Sequence, residues 1–64
     1  MEQEEDGGRA ARMEAFRALV EAQDGGASVA GSRKAVAKRF GLTKRQLLRI
    51  EGEGLENGWP PLEG

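Results

Sequence analysis

A helix stop and a helix start stand side by side in the run Phe40-Gly41-Leu42-Thr43. Gly41 is placed to end a helix in the left-handed region, which glycine enters without steric cost. Thr43 is an N-cap. Gln46, three residues on, completes the reciprocal Thr-x-x-Gln capping box. Ser32 reads as the cap of the preceding helix. The pattern predicts a short helix over 33–40, a tight turn, and a second helix from Lys44 to about Ile50 or Leu55.

Two helices joined so closely must touch beside the turn. The contact needs a small residue, and Ala37 stands four before Gly41. Val36 and Phe40 fall inward on the first helix, Leu42 plugs the turn, and Leu47 and Ile50 fall inward on the second. A helix-turn-helix over 33–55 is therefore expected.

Upstream, Met13, Phe16, Leu19 and Val20 share one face of an amphipathic helix over 9–23. Ala10, Ala11, Ala15, Ala18 and Ala22 favour it, and Arg17 and Glu21 are spaced to pair. The segment 24–31, DGGASVAG, has three glycines in eight residues and reads as a flexible connection. It lacks a Walker lysine pattern, so a phosphate-loop role is not expected. Gly52 and Gly54 weaken the end of the last helix. Asn57-Gly58 marks a turn, and Pro60-Pro61 stops helix beyond it. Trp59 and Leu62 are expected to fold back over Leu48, Leu55 or the first helix. A proline-type docking peptide is the alternative.

The expected fold is all-α: a small three-helix domain with a non-helical C-terminal tail. Residues 1–8 read as a disordered acidic tail, 9–58 as the helical domain and 59–64 as the tail. The candidate core is Met13, Phe16, Leu19, Val20, Val36, Phe40, Leu42, Leu47, Ile50, Leu55 and Trp59. That is a small core for 64 residues, and a second copy, as a homodimer, is one way to support it.

There is no cysteine and no histidine. Disulfides, thiolate ligands, the usual zinc sites and the commonest general base are missing from the sequence. No enzyme activity, metal or cofactor is expected. No apolar run reaches the length of a membrane span, and the acidic start is unlike a signal peptide. A soluble cytoplasmic protein is expected.

Charge gives the first pointer to a partner. Residues 32–50 hold Arg33, Lys34, Lys38, Arg39, Lys44, Arg45 and Arg49 and no acid. Residues 1–31 have seven acids against three bases, and 51–64 have four acids against none. A net charge of −1 thus hides a cationic centre. Lys44 and Arg45 stand in the first turn of their helix, where the helix dipole disfavours cations. Arg45, Gln46 and Arg49 share the face opposite Leu47 and Ile50. A polyanion is the expected ligand of that face.

Residues 32–55, SRKAVAKRFGLTKRQLLRIEGEGL, resemble region 4 of bacterial sigma factors, the domain that reads the −35 promoter element. The likeness rests on Ser32, Val36-Ala37, the run Arg39 to Thr43, Leu47, Ile50-Glu51 and Leu55. It implies base contacts from Lys44, Arg45, Gln46 and Arg49 in the major groove of double-stranded DNA. Phosphate contacts are expected from Arg33, Lys34, Lys38, Arg39 and Thr43. The chain departs from the family at Arg33, Lys34, Gly52, Gly54 and the Trp59-Pro60-Pro61 ending. It reads as an isolated region-4-like module, either a small transcription regulator or an accessory DNA-binding subunit. The alternative is a protein-interaction adaptor docking on RNA polymerase or a larger effector complex.

Overall fold

The computed structural model describes residues 8–61. Three helices follow in order: α1 (Gly8–Asp24), α2 (Val29–Phe40) and α3 (Lys44–Asn57). Each packs on the other two. The all-α, three-helix expectation holds. The tail residues 1–7 and 62–64, with Leu62, lie outside the described residues.

The α2–α3 turn is built as its residues dictate. Gly41 takes φ 67°, ψ 37°. The Leu42 N–H donates to the Ala37 carbonyl at 2.8 Å, and the Gly41 N–H to Lys38 at 3.4 Å. These paired bonds satisfy the last carbonyls of α2. Thr43 Oγ1 accepts from the Gln46 N–H at 3.0 Å, and Gln46 Oε1 accepts from the Thr43 N–H at 2.9 Å. Two helix ends are thus closed within three residues.

α2 starts earlier than the sequence reading placed it. Its cap is Ser28, whose hydroxyl accepts from the Gly31 N–H at 3.0 Å. Ser32 lies inside the helix and is buried. Its hydroxyl donates to the Val29 carbonyl at 2.9 Å and accepts from Gln23 Nε2 at 3.0 Å. It therefore ties the end of α1 to the start of α2 instead of capping. The expected flexible connection shrinks to 25–28. The amide N–H groups of Gly25, Gly26 and Ala27 all turn back to α1 carbonyls at 3.0–3.1 Å.

The core is Ala15, Phe16 and Leu19 from α1, Val36 from α2, Leu47 and Ile50 from α3, and Trp59. Met13, Val20, Phe40 and Leu42 pack at its margin, half-buried. Leu55 corrects the sequence reading: it is 60% exposed. The buried line of α3 runs Leu47, Ile50, Gly54, at the spacing of one helix face. Leu55 stands one residue off that line. Gly54 occupies the inward position, and a Cβ there would fall inside van der Waals contact of the Phe16 ring.

Gly58 then decides where Trp59 goes. It caps α3 at φ 64°, and the Trp59 N–H donates to the Gly54 carbonyl at 3.0 Å. The reversal swings the indole back onto α1. Trp59 meets Phe16 edge-on, with ring centroids 6.1 Å apart, and Arg9 lies over the indole at 6.0 Å. Trp59 thus belongs to the domain's core. It covers the first helix but leaves Leu48 and Leu55 exposed.

Candidate nucleic-acid interface

The capping box fixes the first turn of α3 and with it the directions of Lys44 and Arg45. Arg45 and Arg49 are exposed and four residues apart, about 6 Å along the axis. They point away from the buried Leu47 and Ile50. The first turn of α3 carries no acid and its last turn no base. That order runs against the helix dipole, so intrinsic helix stability does not account for it.

α2 adds Lys34, Lys38 and Arg39, all exposed. Lys38 and Arg39 stand in the last turn of α2, where the dipole favours cations. The Arg39 guanidinium lies 5.3 Å from the Phe40 ring centroid. A cleft between α2 and α3 has a floor of Ala30, Ala37 and Leu47 and a rim of Arg33, Lys34 and Lys44.

Two carboxylates of α3 are held by arginines of the other helices. Arg12 grips Glu53 through Nε at 3.0 Å and Nη2 at 3.3 Å. Arg33 grips Glu51 in the same forked way, at 3.0 and 3.4 Å. These two pairs tie α3 to α1 and to α2. Arg17 pairs with Glu21 at 3.1 Å along α1, as its spacing predicts. Among the described residues, Lys34, Lys38, Arg39, Lys44, Arg45 and Arg49 have no carboxylate partner. These six cations are left unpaired with carboxylates among those residues.

Three residues named from the sequence sit differently from the rest. Arg33 has its guanidinium engaged with Glu51, so it serves the α2–α3 contact. Gln46 is half-buried with its amide oxygen in the cap. A bidentate adenine contact would compete for that oxygen. Thr43 is exposed, and its hydroxyl closes the cap from the other side. Lys44, Arg45 and Arg49 lie on α3 and Lys34, Lys38 and Arg39 on α2; Lys34 and Lys44 border one cleft, and Arg49 borders another with Glu53 and Glu56. Sequence reasoning missed the roles of Arg12, Glu51 and Glu53. Pairs 41 and 18 residues apart leave no local spacing signal.

Among the described residues no cluster of acidic side chains is placed to hold a metal ion. No helix there is long and apolar enough to cross a membrane. Compared with known protein families, curated proteins and solved structures, the chain finds no match.

Proposed function

We propose that this chain is a DNA-binding helix-turn-helix module of the sigma region 4-like kind. It would act as a small transcription regulator or an accessory DNA-binding subunit, without catalytic activity. The observation that carries this reading is the set of six exposed cations on α2 and the first two turns of α3, none of them ion-paired with a carboxylate among the described residues.

In this reading the start of α3 enters the major groove, which is wide enough for a helix. Arg45 and Arg49, about 6 Å apart along α3, span roughly two base steps. Each can pair with a guanine edge through its forked donors. Lys44 stands beside them. Lys34, Lys38 and Arg39 lie toward the phosphates, because the first helix of this motif crosses the backbone. The acidic end of α3, with Glu53 and Glu56, stays outside the groove.

Affinity for duplex DNA measured against salt tests the proposal. Neutralising three phosphates, through Lys34, Lys38 and Arg39, gives a slope of about −2.7 in log affinity against log salt. No binding at low salt, or a slope near zero, overturns it.

A second reading draws on Leu48 and Leu55, the exposed leucines of α3. An adaptor docking on RNA polymerase or a larger complex would use such side chains. Pull-down from the host with and without nuclease separates the two. Nuclease-resistant partners favour the adaptor; nuclease-sensitive recovery favours DNA.

A further inference from the structure

The outer face of α3 has a pattern that DNA contact uses only in part, through Arg45 and Arg49. Leu48 is 40% exposed and Leu55 60%. They stand two helical turns apart, about 10.5 Å. Between them Gly52 leaves a notch: a Cβ built there meets nothing within 4 Å. Leu48, Arg49, Glu53 and Glu56 border that notch. Arg49 and Glu56 are also two turns apart, alongside the leucine stripe. Neither has a partner of opposite charge among the described residues.

We propose that α3 pairs antiparallel with α3 of a second copy, about a two-fold axis passing by Gly52. The register follows from the residue spacing. With Leu48 set on the partner's Leu55, the two Gly52 residues meet near the axis. Without side chains there, the helix backbones can approach closely. Arg49 then faces the partner's Glu56, and the symmetry makes that pair twice.

The placement of the two stripes on either side of Gly52 decides the direction. A parallel two-fold pairing would set each leucine stripe against the partner's Arg49 and Glu56. The antiparallel pairing sets leucine on leucine and Arg49 on Glu56. Glu51 and Glu53 do not oppose it, since Arg33 and Arg12 already hold them. Two leucines a side are few for a surface that in stable complexes buries about 800 Å² per partner. The dimer is therefore weak, with Kd about micromolar or above.

This pairing stands independently of the nucleic-acid reading. Only one consequence rests on that reading: the dimer would cover Arg45 and Arg49, so self-association and DNA binding would exclude each other.

Sedimentation of the full chain without DNA tests the pairing over a range of concentrations. Wild type is expected to show concentration-dependent dimers. Arg49→Glu and Glu56→Arg each create two like-charge contacts and should raise Kd by about tenfold or more. Mixed in equal amounts, the two variants regain both attractive pairs and should associate with each other. Leu55→Gln should weaken every combination. These positions are on the surface, and circular dichroism verifies that each variant is folded. Three results would each overturn the proposal: a wild type that stays monomeric throughout, single charge variants that dimerise as well as wild type, or a mixture that stays monomeric. None of them bears on whether the monomer binds DNA, which the salt titration reads separately.

Discussion

Gly52 and Gly54 lie two residues apart on α3, and the structure gives the same substitution opposite signs at the two places. At Gly52 an added methyl group enters open space. Replacing a helical glycine by alanine there should stabilise by about 0.5–1 kcal/mol, because the unfolded chain loses more freedom with glycine. At Gly54 the nearest atoms are Cγ, Cδ1 and Cε1 of Phe16. That ring is 1% exposed and closed off by Trp59 at 6.1 Å, so it has no solvent side to rotate into. Overpacking a core costs about 1–3 kcal/mol, and a collision with a rigid ring belongs at the upper end. Subtracting the propensity gain leaves a net loss of about 2 kcal/mol. For a domain of this size that lowers Tm by about 8–16 °C, while Gly52→Ala raises it by about 2–8 °C. Thermal melts followed by circular dichroism read both changes. Urea midpoints should shift likewise with unchanged slopes. If Gly54→Ala is as stable as Gly52→Ala, the helix does not approach Phe16 as described, and the placement of Trp59 falls with it.

Arg45→Ala or Arg49→Ala should lower affinity for a selected DNA site more than for a scrambled one, by about 1–3 kcal/mol of discrimination. Lys38→Ala or Arg39→Ala should weaken both DNAs alike and flatten the salt slope; even losses from all four variants would show that α3 does not read sequence. Trp59 emission should be blue-shifted in the native protein and move to the red on unfolding, whereas emission like free tryptophan from the start would contradict its burial. Thr43→Ala should cost about 1 kcal/mol through loss of the α3 cap, and an unchanged denaturation midpoint would count against the capping box. Phe16→Ala should cost about 3–5 kcal/mol. Phe40→Ala should cost less, since Phe40 is only half-buried, and the reverse order in denaturation would refute the core assignment.

The local features were legible because their causes are local. Gly41, Thr43 and Gln46 state the end of one helix and the start of the next within six residues. Asn57-Gly58 marks the reversal that brings Trp59 back. Errors arose where side-chain type competed with position. Leu55 reads as inward because it is leucine, although the helix turns Gly54 inward instead. Ser32 looked like a cap because three glycines made 24–31 seem unfit for helix, yet Ser28 caps and Gly31 is carried in the first turn. The arginines that hold Glu51 and Glu53 were beyond reach, because pairs between helices depend on how the helices pack. For the candidate interface, the six free cations were all named from charge pattern. The engagement of Arg33 with Glu51 depends on how α2 and α3 meet, whereas that of Gln46 in the cap is local to α3.

The order of charges along α3 also shapes encounters before any contact is made. Its exposed charges are Lys44, Arg45 and Arg49 toward one end and Glu56 toward the other. An approaching polyanion therefore pulls on one end of the rod and pushes on the other. The result is a torque as well as an attraction. Within about 10 Å, the Debye length at 0.1 M salt, α3 contributes a torque that turns its own start toward the polyanion. At higher salt that torque shortens in range, and its contribution to orientation fades.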